Sequence, residues 1–333
     1  MSALQRFRAR LGGVLALLTG KHHVTVNARL RQLEIDLNNA NKRLVHMGRQ
    51  VGDNRTGLRA SLRRIERDLG AVLRLQGIDG EQVPYPQRLA LRRFHLMAQN
   101  EEDGIIYELV GRCAPEHRRF VELGCGSNGG NSGFLAVELG WKGLMVDGDQ
   151  GKLATARRRF SNAKVKCLHS WITRDDVDSL ITGAGLDGEV GMLSIDIDGN
   201  DYWLWKAISA CSPRLVIIEY NSLFGPKQSV TVPYDESFDR HAYPKARDGK
   251  AIYFGASIEA LVRLGRSKGY RLVTIEPRGV NAFFLRNDFR TEIPECSAKD
   301  CFRILDKYIG HDLTKLIEEH SLPLVEIPRA DPA

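Results

Sequence analysis

The stretch Leu193 to Trp203, LSIDIDGNDYW, sets Asp196, Asp198 and Asp201 close together, and Glu219 and Asn221 follow in IIEYN. Oxygen-bearing side chains at this density suit two chemistries. They can take a proton from a weak nucleophile, or they can hold a hard divalent cation such as Mg²⁺. A plainer assignment competes: Asp196 holds the amino end of a bound cofactor, and Asp201 caps the helix beginning at Tyr202. His241, in a polar stretch further on, is an alternative base, although a lone loop histidine is often simply solvated.

A second cluster lies upstream in FVELGCGSNGGNSGFLAVELGWKGLMVDGD, Phe120 to Asp149. Phe120, Val121 and Leu123, with Glu122 among them, form a short strand. Gly124, Gly126, Gly129 and Gly130 then let the backbone turn tightly and approach a ligand closely. A helix over 132–139 offers its free N-terminal N–H groups to whatever sits above the turn. The strand over 143–146 ends on Asp147, where a nucleoside ribose is usually gripped. The pattern implies a nucleoside-containing cofactor. A nicotinamide dinucleotide is one candidate, because Gly124, Gly126 and Gly129 satisfy its glycine spacing. Three features argue against it. Glu122, two residues before the first glycine, would face a pyrophosphate with a negative charge but would welcome an ammonium. The last two strands are joined too closely to be parallel. Nicotinamide chemistry also has no use for the carboxylates after residue 195.

These clusters need a scaffold. Beyond Asp147, helices are expected over 152–160, 174–182, 202–210 and 256–268. Strands are expected over 165–169, 191–195, 214–219, 271–275 and 281–286. Such alternation predicts an α/β fold: a doubly wound sheet of about seven strands with an antiparallel final pair. Residues 222–254 are too long for a plain connection and read as a substrate lid. Helices over 88–98 and 101–113 precede the sheet, and one over about 298–319 closes the chain, in a helical tail covering 291–333.

The run ELGCGSNGGNS, with LMVDGD, SIDIDGNDYW and IIEYN, resembles the class I S-adenosylmethionine-dependent methyltransferases over about 115–290. Within that class it is similar to the FkbM-type O-methyltransferases and their relatives that act on saccharides and natural products. The resemblance implies a Rossmann-like domain whose loop of Gly124, Cys125, Gly126, Asn131 and Ser132 passes beneath S-adenosyl-L-methionine. It implies that Glu122 and Asp196 lie at the cofactor's amino end and that Asp147 and Gly148 lie at the ribose. Trp171 would lie near the adenine. Some saccharide and macrolide methyltransferases of this class place a divalent metal at the acidic cluster, here Asp196, Asp198, Glu219 and Asn221. The implied reaction methylates a hydroxyl of a glycan, glycolipid or glycosylated metabolite, with Asp198, Asp196 or His241 as base. Two other readings stand beside it: a nicotinamide-dependent dehydrogenase, and a non-catalytic scaffold built on a methyltransferase-like domain.

The 333 residues carry a net charge of +7, unevenly spread. Residues 1–95 hold 18 Lys and Arg against 7 Asp and Glu, leaving the remainder at −4. Segment 1–25 therefore reads as a basic amphipathic arm for an anionic membrane surface, with nucleic acid the weaker option and a merely solvated helix face the plain alternative. From 26 to 76 a heptad pattern follows, with Leu30, Leu37, Leu44, Val51, Leu58, Ile65 and Val72 at one position. It predicts a coiled-coil helical region before the sheet and self-association into a homo-oligomer through residues 26–75, with a helix packed on the chain's own sheet domain as the plainer alternative. Residues 77–114 are a linker and the helices leading into the core. The six cysteines form no CxxC pair and exclude a zinc ribbon. A reducing cytoplasmic setting, with contact at the inner membrane face, is the expectation.

Overall fold

The computed structural model describes residues 85, 88–89, 95–113, 116–289 and 292–328, all inside the compact unit Gly70–Ala333. The basic arm, the heptad region and most of the linker lie outside the described residues. Helix α1 (Glu102–Cys113) leads into β1 (Arg119–Leu123), α2 (Gly133–Val137), β2 (Lys142–Asp147), α3 (Gln150–Arg159) and β3 (Val165–His169). The chain continues through α4 (Val177–Gly183), β4 (Gly188–Ile195), α5 (Asp201–Ala207) and β5 (Cys211–Glu219). A long insertion carries the short strand β6 (Val230–Thr231). Then come α6 (Ile258–Ser267), β7 (Tyr270–Ile275), β8 (Asn281–Arg286), α7 (Ala298–Cys301), α8 (Leu313–His320) and β9 (Val325–Glu326).

Seven strands form one sheet in the order β3-β2-β1-β4-β5-β8-β7. The first five are parallel, and β8 runs antiparallel to both neighbours. The turn 276–280 is too short for a crossover, so the reversal follows from chain length alone. Alternation along each strand sends side chains to two cores. Phe120, Met192, Leu215, Ile217 and Phe283 pack with α1, α2 and α3. Val121, Leu193, Val216, Ile218 and Phe284 pack with α4, α5 and α6. Trp205 belongs to the second core, its ring 4.9 Å from that of Phe284. Each large apolar side chain buried this way stabilises by roughly 1.5–3 kcal/mol. The order reverses between β1 and β4, and a crevice at such a switch is where open α/β sheets bind ligands.

Three stretches differ from the sequence expectation. Residues 96–100 are a bend, not the end of a helix, because Asp103 Oδ2 gathers the amides of Leu96, Met97 and Ala98 at 2.7, 2.6 and 3.1 Å. The closing helix is split. Residues 302–305 are drawn onto the end of β5, where Tyr220 donates to the Arg303 carbonyl and Ser222 Oγ accepts from Leu305 N at 3.2 Å. A fresh helix then starts at Asp312, whose side chain caps Lys315 N at 3.0 Å. The insertion and the C-terminal segment are also not separate pieces. They share a third apolar core of Phe224, Phe238, Tyr253, Phe254, Tyr308 and Leu316, and β6 pairs with β9. Among the described residues, no helix is long and apolar enough to cross a membrane.

Candidate active site

Strand ends position the glycine loop. The amides of Gly124 and Cys125 both donate to the Val146 carbonyl, at 2.9 and 3.1 Å, tying the loop to β2. Gly124 has φ +89, and a Cβ there would stand 1.7 Å from the Asp196 carbonyl, so only glycine fits where β1 passes the end of β4. A Cβ on Gly130 would meet Glu122 Oε1 at 2.1 Å. The loop is folded down onto that carboxyl. Glu122 is fully buried and accepts from Ser132 Oγ at 2.5 Å, Ser194 Oγ at 3.0 Å and Asn131 N at 3.3 Å. Asn131 Nδ2 completes the ring by donating to Ser194 Oγ at 3.1 Å. Burial pushes Glu122 up to about 8, against the pull of these donors. Glu122, Asn131 and Ser132 thus brace the loop from below. Cys125 is buried beside them, its thiol pushed up by burial and by Asp147.

Asp147 closes β2 and faces the loop. Its Oδ2 accepts from Gly126 N at 2.7 Å and its Oδ1 from Asp149 N at 2.8 Å. The next residue, Gly148, lies under the Trp171 ring: a Cβ there would be 2.9 Å from the indole. Trp171 is 56% exposed, and its Nε1 donates to the Glu236 carbonyl at 2.8 Å. An exposed indole beside the ribose-type acid is a flat surface suited to a purine base. His169 sits close by, its Nε2 3.0 Å from the Gly148 carbonyl.

The acidic cluster assembles across β4 and β5. Asp196 continues the ladder past β4, its amide donating to Leu123 O at 2.9 Å. Asp198 has φ +61, a left-handed turn that L residues seldom adopt outside functional or tightly held sites. Asp196, Asp198 and Glu219 bring carboxylate oxygens within 4.8 Å of one another. Ligand oxygens around one Mg²⁺ or Ca²⁺ stand about 2.0–2.6 Å from the ion, so such a spread fits a shared cation. Burial and mutual repulsion hold Asp196 and Glu219 well above the ordinary carboxylate range, with Arg240 opposing at Glu219. Glu219 Oε2 is buried without a hydrogen-bond partner.

Asp201 stands apart. It is 1% exposed and receives the amides of Ile197 and Gly199, both at 2.9 Å, so it shapes the Asp198 turn. Burial takes it to about 6. Asn221 is also engaged elsewhere. Its Nδ2 donates to the carbonyls of Ile252 and Phe254 at 2.8 and 3.0 Å, and its Oδ1 caps Leu223 N at 3.1 Å. It anchors the insertion and is not gathered with the three acids. His241 is exposed; the neighbouring Arg240 points inward instead. Arg240 pairs with Asp198, donates to Ala251 O at 2.9 Å and Tyr308 Oη at 3.2 Å, and lies 4.1 Å over the Phe254 ring. The sequence carried one clue to it: so many acids at one place require a cation. The insertion's tyrosines are occupied in packing. Tyr243 stacks on Phe238 at 5.1 Å, and Tyr234 sits under the Arg174 guanidinium at 4.1 Å.

No family model matches the chain, and no curated protein matches it. Among solved structures, the methyltransferase domain of bacterial CtHen1 is similar at 14% identity, over 54% of this chain and 96% of that one, with a TM-score of 0.35. The O-methyltransferase from Bacillus cereus in complex with SAH matches at 13% identity over 63% of this chain and 94% of its own, TM-score 0.35. The N-terminal domain of EvdMO1, in the presence of SAH and D-fucose, matches at 10% over 68% and 94%, TM-score 0.36. Likenesses of this size assign the chain to no family.

Proposed function

We propose that the chain is an S-adenosylmethionine-dependent O-methyltransferase acting on a hydroxyl of a glycan, glycolipid or glycosylated metabolite. The observation that carries this reading is a single ligand edge. The glycine loop after β1, Asp147 after β2 and the carboxylates of Asp196, Asp198 and Glu219 all stand at the carboxyl ends of the parallel strands. When bound, S-adenosylmethionine supplies an electrophilic sulfonium methyl group. Gly124 and Gly126 let the backbone pass beneath it, Asp147 takes the ribose hydroxyls in place of the loop amides, and Trp171 covers the base. Glu122 acts through the loop it braces. The acceptor oxygen must be collinear with the methyl group and the sulfur, and such positioning supplies several kcal/mol of rate enhancement.

The new C–O bond forms as the S–CH₃ bond breaks, and the hydroxyl proton must leave. Asp198, exposed and held by Arg240, is the carboxylate placed to receive it. Burial and mutual repulsion favour the protonated forms of Asp196 and Glu219, and a nearby cation would oppose that shift. Asp196, Asp198 and Glu219 would hold such a cation, and the orphaned Glu219 Oε2 fits it. When bound, it supplies charge that favours the alkoxide. Self-association through 26–75 and contact of segment 1–25 with anionic lipid belong to the same proposal. Sedimentation of the full chain as a monomer, or indifference to anionic vesicles, would remove the respective part. For the enzymatic core, methyl-labelled S-adenosylmethionine is incubated with lipid and polysaccharide extracts and the products are analysed by mass. Label should enter a hydroxyl-bearing product, and Asp147→Ala or Asp198→Ala should abolish it. Unchanged labelling in both variants would sink the assignment.

A further inference from the structure

One buried acceptor beside the acidic cluster has no use in the fold. Asn281 opens β8 directly opposite Glu219 in the β5–β8 register, so the two side chains leave the sheet on the same face. It is 2% exposed, and its Nδ2 donates to Glu102 Oε1 at 3.1 Å. The Glu102 carboxyl also receives Asn100 N at 2.7 Å and Asn100 Nδ2 at 3.0 Å. A carboxylate surrounded by N–H donors admits only the amino end of the amide, which fixes the orientation of Asn281. Its Oδ1 is therefore turned away from Glu102, and it is buried without a donor, as Glu219 Oε2 is.

Two unsatisfied acceptors on one face of adjacent strands, one of them on the three-carboxylate cluster, call for partners that donate, and a cation with its bound waters supplies both charge and donors. Asn221 is committed to the insertion, and Asn200, whose Oδ1 is likewise buried without a donor, gives its Nδ2 to the Asp235 carbonyl at 2.7 Å. Three carboxylates against one guanidinium leave two negative charges when all are ionised, which a divalent cation neutralises and a single ammonium does not. We propose that Asn281 is a fourth oxygen donor of this pocket and that, with Glu219, it receives a hydrated divalent cation, directly or through one of the cation's waters. The proposal rests on the reading of Asp196, Asp198 and Glu219 as a cation site. An amide suits the position, because it adds an oxygen without adding charge to an already acidic pocket.

Mn²⁺ is the probe, titrated into the full chain and followed by the electron paramagnetic resonance of the free ion, with thermal unfolding in parallel. Wild type should bind one Mn²⁺, and Asn281→Ala should bind it at least about tenfold more weakly, as loss of an orienting or ligating group does. Asn281→Asp keeps an oxygen but cannot donate to Glu102, so it should melt lower, and Mn²⁺ should raise its melting temperature at least as much as that of wild type. A melting loss in Asn281→Ala with unchanged Mn²⁺ affinity would overturn the role of Asn281 and leave the three-carboxylate site standing. A smaller Mn²⁺-induced rise in Asn281→Asp than in wild type would do the same. Absence of Mn²⁺ binding to wild type, or wild-type affinity in Asp198→Ala, would overturn the cation site itself, and this proposal with it.

Discussion

The carboxyls at this sheet edge divide by what they touch. Glu122 and Asp201 are enclosed by hydrogen-bond donors and hold backbone in place. Asp196, Asp198 and Glu219 face one another with the Arg240 guanidinium beside them. The enclosed group has a consequence for stability. Glu122 ionises near 4.5 when unfolded and is pushed up to about 8 in the fold. Between those values the folded chain keeps a proton that the unfolded chain has released, so stability falls as pH rises across the window. Glu276, at about 7, and Asp103, at about 6, act in the same direction. Glu122→Gln should flatten the decline between pH 5 and 8, by at most about 1.4 kcal/mol per unit. Denaturant unfolding across that range checks it, and a slope identical to wild type would refute the assignment of Glu122. Spacing alone had indicated the acids, since Asp196 and Asp198 follow a strand and Glu219 ends its neighbour. It had not indicated that Asn221 turns into the insertion or that Arg240, not His241, turns toward Asp198. Side-chain direction at a loop residue is set by contacts with Ala251, Phe254 and Tyr308, distant in sequence.

At the scale of elements, the seven strands were legible because each is an apolar run between turn residues, and the short turn 276–280 reveals the antiparallel pair. What was hidden depends on contacts between distant segments. β6 and β9 are two residues each, too short for any periodicity, and lie nearly a hundred positions apart. The break in the closing helix comes from Tyr220 and Ser222 pulling residues 303 and 305 onto β5. The insertion is thereby a small cored unit shared with the C-terminal segment, and Asn221 fastens it to the end of β5. Asn221→Ala leaves the carbonyls of Ile252 and Phe254 and the amide of Leu223 without their partner. A loss of about 1–3 kcal/mol is expected. Proteolysis within 226–250 should quicken in that variant. An unchanged unfolding midpoint with unchanged cleavage would mean that Asn221 is not the anchor.

At the scale of the whole molecule, the charge is divided. The N-terminal 95 residues are basic, and the rest, which includes the whole sheet and its acidic edge, is net negative. That division suits a protein whose arm meets an anionic surface while its pocket takes a cationic ligand, and the sulfonium of S-adenosylmethionine is one. The same edge, read as a dinucleotide site, would bring a pyrophosphate toward the acids beyond Asp196, where the Arg240 guanidinium is already paired with Asp198. The most direct test is calorimetric titration of the full chain with S-adenosylmethionine and, separately, with NADH. Saturable binding of one S-adenosylmethionine per chain is expected, weakened at least about tenfold by Asp147→Ala through loss of the charged ribose contact. No heat should accompany NADH. Binding of NADH with none of S-adenosylmethionine would make this edge a dinucleotide site and rule out the methyltransferase.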